Sequence, residues 1–289
     1  DDFWLNEGFT VYFELRIMEA LYGKDYANMI ALLGHQDLME TVKELPEDDT
    51  KLKLNLDGRN PDDGMTDIAY EKGCAFLRVL EEKAGREKFD AFLNQYFTEY
   101  TFKTLNTEEF ISYLNTNLIE PNQLDINTDE WIYKAGIPSN QVNITSSKFK
   151  DVENELAIFM DKNDAKSLNT TKWSTHEWLH FIRSLDNNSI TIAHLENLDA
   201  AFNFTNTTNA EIACAWFEKS IVIGYDIVFP KLNEFLLTVG RRKFLVPLFK
   251  NLSASEEGKL FAKEIYAEAR ENYHSVSTNT IDEMLDYRE

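Results

Sequence analysis

The sequence predicts an all-α fold, on three observations. Apolar side chains recur at helical spacing through most of the 289 residues. Glycine (11) and proline (6) are scarce, which disfavours a β-fold built on many tight turns. The periodic segments are separated by short polar breaks, the pattern of helices that turn back on one another.

The elements follow in order. Residues 3–22 form a first helix that stops near Gly23, and a second runs from Lys24 to Leu45. Pro46-Glu47-Asp48-Asp49 opens a Gly-, Asn- and Pro-containing loop that reaches Gly64. A long irregular stretch inside a helical domain is often functional. Helical patterns resume over 66–85, 87–101 and 107–118. A polar, proline-marked stretch from Glu120 to Val142, with Trp131 and Gly136-Ile137-Pro138, then closes a first domain. The expected division is therefore 1–142 and 143–289. Beyond Lys148, amphipathic segments at 149–160, 174–185, 191–202, 208–222, 224–239, 243–252, 255–273 and 279–287 point to stacked helical hairpins.

Composition narrows the functions. The formal charge of −21 opposes nonspecific binding to nucleic acid or an anionic membrane. No apolar run approaches the roughly 20 residues of a membrane-spanning helix. Cys74 and Cys214 stand apart, so neither a disulfide framework nor a cysteine metal site is expected. These features suit a cytoplasmic protein without nucleic-acid or membrane partners.

The first fourteen residues, DDFWLNEGFTVYFE, carry the most chemistry. They lack a start methionine and open inside an amphipathic pattern, so the chain is expected to be an internal piece of a longer polypeptide. The run W-L-N-E-G-F-T-V-Y-F-E resembles the second zinc-site helix of gluzincin aminopeptidases. In that family an upstream H-E-x-x-H helix supplies two histidine ligands and a general-base glutamate, and the glutamate of N-E-G is the third ligand. The resemblance gives that role to Glu7, with the two histidines expected ahead of Asp1.

Three further blocks share the resemblance. Ile68-Ala69-Tyr70-Glu71-Lys72-Gly73 is similar to the P-Y-E-K-G block of the leukotriene A(4) hydrolase branch, with Ala69 in place of proline. There the tyrosine donates to the oxyanion, which gives Tyr70 that role; a neutral phenol suits a place where negative charge develops. Asn60-Pro61-Asp62 resembles the D-P-D segment, and Asp62 matches a carboxylate that directs water in epoxide hydrolysis. Met65 stands where that reaction's second tyrosine would be, which weakens the match to epoxide chemistry. Gly240-Arg241-Arg242-Lys243-Phe244 resembles the G-R-x-K-F segment, whose Arg and Lys hold the substrate's free carboxylate; Arg241 and Lys243 take that role. Residues two apart do not share a helix face, so joint binding needs a helix start or a loop here.

The resemblance covers nearly the whole chain, Asp1 to about Tyr273. It implies the helical half of a thermolysin-like catalytic domain followed by an armadillo- or HEAT-like helical-repeat domain. It also implies one zinc ion per complete protein and short peptides as substrates, with a lipid epoxide as a second substrate class. The expected cleft lies between the two domains. The competing reading is a non-catalytic helical scaffold.

One zinc-like motif reads differently. His176-Glu177-Trp178-Leu179-His180 has the H-E-x-x-H letters, yet Ser174-Thr175-His176-Glu177 is an S-x-x-E capping box, which occupies Glu177 locally. Trp173 and Trp178 match a hydrophobic staple. The apolar stripe Trp178, Phe181, Ile182 and Leu185 places both histidines on the opposite, solvent side. Asp199, at a plausible distance for a third ligand, falls in another segment.

Overall fold

The computed structural model describes residues 1–288, and every regular element among them is helical. The chain forms two compact units, Asp1–Ser147 and Lys148 onward. Residues 143–147 are held to the first unit by side chains of its second helix: Asn28 donates to the Thr145 carbonyl (2.9 Å), and Asp25 accepts from the Ser147 amide (2.8 Å). No helix of the described residues is long and apolar enough to cross a membrane.

In the first unit, α1 (Trp4–Tyr22) ends at Gly23, whose φ of 89° suits glycine alone, and α2 (Lys24–Glu44) follows at once. The 46–64 segment is irregular, as expected, but carries two single turns of 3₁₀ helix, Glu47–Thr50 and Pro61–Gly64. The pattern over 66–85 is not one regular helix: a π-turn, Ile68–Lys72, leads into α3 (Gly73–Ala84). Next come α4 (Arg86–Glu99) and α5 (Thr107–Leu114), the latter opened by an Asn106–Glu109 capping box. A second π-turn (Asn115–Ile119) and the short α6 (Glu120–Asn122) carry the chain to α7 (Thr128–Tyr133). That last helix lies in a stretch expected to be irregular. It exists because Asn127 caps it and Trp131 and Ile132 are buried.

The core of this unit is aromatic. Trp4 meets Phe76 and Phe110 edge-on, with ring centres 5.9 and 5.5 Å apart, and its indole N–H donates to Thr107 Oγ1 (3.0 Å). The start of α1 is thereby fixed against α3 and α5. The irregular segment is bound down as well. The Leu56 amide donates to the Asp1 carboxylate (3.0 Å), and Lys53 pairs with Asp2 at 2.7 Å.

The second unit comprises α8 (Ser147–Lys162), α9 (Thr175–Ser184), α10 (Ile192–Phe202), α11 (Ala210–Ile223), α12 (Phe229–Thr238), α13 (Arg242–Leu252), α14 (Glu256–Ala269) and α15 (Ser275–Leu285). Helix α9 packs on α11, α11 on α13 and α13 on α15, while α12 packs on α14. Alternate helices thus lie in two layers, the arrangement expected of stacked hairpins. One continuous core of Phe181, Trp216, Phe217, Leu236 and Leu248 runs between them.

Candidate active site

Glu7 lies in the first turn of α1, and Asn6 Nδ2 donates to its Oε1 at 3.0 Å. Tyr70 lies in the π-turn, a local widening of the helix that is frequent at functional sites. The two side chains are brought together. Burial raises the Tyr70 phenol above its ordinary pKa, and the charge and hydrogen bond of Glu7 raise it further, with Asp67 adding to the effect. The hydroxyl is therefore kept as a neutral O–H donor next to a carboxylate.

This pairing is set by a backbone contact. A Cβ built on Gly8 would stand 2.9 Å from the Gly73 backbone, and one on Gly73 would stand 3.0 Å from Gly8 Cα. Nothing larger than glycine fits at either position without moving a helix. The glycine after Glu7 and the glycine three residues after Tyr70 are the two halves of one contact, so α1 and the start of α3, just after the π-turn, approach more closely than side chains would allow.

The two residues between Tyr70 and Gly73 are also committed. Lys72 is fully buried, and its ammonium donates to the carbonyls of Thr50 (2.8 Å) and Lys134 (3.0 Å). Burial lowers its pKa to about 8. It ties the tyrosine's turn to the 46–64 segment and to the end of α7. Glu71 packs against Gly34, where a Cβ would meet its carboxylate at 2.3 Å. Burial first, then the charges of Asp67, Asp37 and Glu14, push its pKa up to about 8, with Arg78 opposing. Sequence reasoning passed over both. For Lys72 a signal existed: it stands four residues after Ile68 and four before Phe76, on the apolar stripe.

Asp62 precedes Tyr70 by eight residues. It is exposed on the turn Pro61–Gly64, with its amide donating to Asn60 Oδ1 at 3.2 Å. Met65 follows that turn directly.

In the second unit, Arg241 is the N-cap of α13 and Lys243 lies in its first turn, the helix start that joint action requires. Both cations neighbour Phe244, which the sequence did not single out. The Arg241 guanidinium lies 5.7 Å and the Lys243 ammonium 5.6 Å from the centre of the Phe244 ring. Lys243 also pairs with both carboxylate oxygens of Glu211, at 2.8 and 2.7 Å.

The H-E-x-x-H letters have the local role expected of them. Ser174 and Glu177 form the capping box of α9, Trp173 and Trp178 stack edge-on at 4.7 Å, and Lys148 pairs with Glu177 at 3.1 Å. The expected solvent exposure of the histidines is corrected for His180. It is buried, lies flat on Phe149 at 3.9 Å, and its Nε2 meets Glu153 at 3.2 Å. The reason is α8, which covers the side of α9 that a single-helix reading leaves to solvent. Asp199 is occupied too, accepting from the Thr205 amide (2.8 Å) and hydroxyl (2.6 Å).

Glu7 is one hard oxygen donor, whereas zinc sites take about three protein ligands. Among the described residues, no group of three or more His, Cys, Asp or Glu side chains is placed to hold a metal ion. This chain's own residues therefore do not make a complete zinc site.

Comparison with known proteins agrees with the resemblance. The profile described as "Peptidase family M1 domain" matches residues 1–131, and that described as "Leukotriene A4 hydrolase, C-terminal" matches residues 173–285. The chain is 31% identical to "Leucine aminopeptidase 2" of Aspergillus niger, over 99% of this chain and 48% of that protein. It is 29% identical to a "Leukotriene A-4 hydrolase homolog" of Botryotinia fuckeliana, over 99% and 45%. The chain thus spans about half the length of these relatives. In fold it is similar to yeast LTA4 hydrolase solved in complex with bestatin, with a TM-score of 0.88, 24% identity, and coverage of 99% of this chain and 50% of that one. The sequence blocks, the helical fold and these matches agree: residues 1–131 match the peptidase family M1 domain and residues 173–285 the C-terminal domain of leukotriene A4 hydrolase.

Proposed function

We propose that this chain is the part of a zinc aminopeptidase that supplies one metal ligand, the oxyanion donor and the grip on the substrate's carboxylate. The observation that supports this reading best is the Glu7–Tyr70 pair, a carboxylate and a neutral phenol held together by the Gly8–Gly73 contact. Zinc, held by Glu7 together with two imidazoles from elsewhere in the enzyme, would polarise the scissile carbonyl. Glu7 contributes an oxygen ligand whose orientation is steadied by Asn6. Tyr70 donates its proton in a hydrogen bond to the oxygen that gains negative charge as the carbonyl is attacked. A phenol's ordinary pKa, about 10, already keeps that proton in place at neutral pH. Arg241 and Lys243, above the Phe244 ring, bind the free carboxylate of a short peptide.

The test is hydrolysis of an aminoacyl amide by the complete enzyme carrying Tyr70→Phe. Loss of the donor should lower kcat about 10²-fold or more with zinc retained. A rate within about threefold of the parent's would reject the oxyanion role. Asp62 belongs to a second activity, epoxide opening on a lipid. Met65 stands against it, and turnover of an epoxide fatty acid that falls in Asp62→Asn is its test. The scaffold reading gives no role to the Glu7–Tyr70 pair and requires that the complete protein bind no stoichiometric zinc.

A further inference from the structure

The cation proposed to hold the substrate's carboxylate already has a carboxylate partner. Lys243 Nζ lies 2.7 and 2.8 Å from the two oxygens of Glu211. Both groups remain partly accessible, with side-chain exposures of 47% for Lys243 and 31% for Glu211, so an incoming anion can reach the ammonium. Glu211 is firmly placed. It lies in the first turn of α11, its amide donates to the N-cap Asn209 (3.0 Å), and its charge suits the positive end of that helix. Arg241 also neighbours the Phe244 ring, at 5.7 Å from its centre.

We infer that Glu211 is a specificity-determining residue: an internal carboxylate that competes with the substrate's C-terminal carboxylate for Lys243 and so weakens the preference for free-acid peptides. The inference rests on the reading that Arg241 and Lys243 bind that carboxylate. The physical reason is charge balance. A lysine neutralised by a fixed glutamate offers little net attraction to a second anion, and binding one means giving up or sharing the existing pair. Without Glu211 the same ammonium would present its full charge. An exposed ion pair is worth enough to change affinity about two- to fivefold.

The experiment compares a tripeptide with its C-terminal amide on the complete enzyme, as the ratio of KM values, for the parent, Glu211→Gln, Lys243→Ala and Arg241→Ala. Glu211→Gln keeps the shape and the helix-capping geometry. It should lower KM for the acid about two- to fivefold, leave KM for the amide and kcat for both unchanged, and lose its advantage at high salt. An unchanged or raised KM for the acid in Glu211→Gln, with Lys243→Ala weakening the acid, overturns this inference alone. If neither Lys243→Ala nor Arg241→Ala alters the acid-to-amide ratio, the carboxylate-binding reading itself falls and this inference with it. A second readout uses the complete enzyme and acetate: the Lys243 Cε methylene signal in NMR should respond at lower acetate concentration in Glu211→Gln. Equal responses in parent and variant would also overturn the proposal.

Discussion

Gly8 and Gly73 touch backbone to backbone, so that a methyl group added to either would lie within 3.0 Å of the other's main chain. Glu7 and Tyr70 owe their proximity to that contact. Alanine normally stabilises a helix relative to glycine by about 1 kcal/mol. Here the order should reverse: Gly8→Ala and Gly73→Ala should each cost about 1–3 kcal/mol through overpacking. Urea unfolding of both variants checks this, and a gain in stability for either would show that the helices can separate freely.

Lys72 ties three segments together through two carbonyls. Replacement by methionine fills the volume but leaves the Thr50 and Lys134 carbonyls without this donor, at a cost of about 1–3 kcal/mol. The pH dependence has a definite sign. Folding lowers the lysine's pKa from 10.5 to about 8. Between those values the unfolded chain holds the proton and the folded chain does not, so the parent gains stability over Lys72→Met as pH rises through that window. A neutral amine still has two N–H groups for the two carbonyls. Denaturation midpoints at both ends of the window test it.

Glu71 should behave in the opposite sense. Its pKa rises from 4.5 to about 8 on folding, so the folded state holds a proton that the unfolded state releases. The stabilising contribution is fully present below 4.5 and is lost as pH rises through about 8. Glu71→Gln should remove that loss. The parent should be matched or exceeded in stability by the variant at pH 8, and the difference should shrink toward pH 5. His35 and Arg78 line the same small cavity, so the comparison is repeated in a His35→Gln background to remove the contribution of that imidazole. Parallel thermal melts across this range provide the measurement.

In the second unit, Ser174→Ala removes half of the α9 capping box and should cost about 0.5–2 kcal/mol. His180→Ala removes the ring stacked on Phe149 and should also destabilise. Neither change should alter the zinc content of the complete protein. Metal analysis showing zinc lost with His180→Ala would assign the H-E-x-x-H letters a role that the capping geometry denies them.

Much of the fold was legible because apolar spacing survives tertiary packing. The starts and stops of α1 and α2, with Gly23 between them, follow from local rules. So does the Ser174 capping box. What the letters concealed has physical causes. The π-turn at Ile68–Lys72 adds a residue to the helical turn without any local signature. Helix α7 is held by Trp131, which is buried in the core with Phe76 stacked on it at 5.7 Å. His180 looked solvent-facing because one helix's periodicity says nothing about a second helix laid across it.

Alone, the sequence determined the all-helical class, which depends on apolar spacing and local capping, and its motifs supplied the family resemblance and the residue types available for chemistry. Tertiary structure decided which of those residues meet. Glu7 meets Tyr70 beside a place where two glycines distant in sequence let main chains touch, Arg241 and Lys243 both neighbour the ring of Phe244, and Glu211 reaches Lys243 where α11 packs on α13. Contacts of that range arise from packing between helices, and no local pattern encodes them.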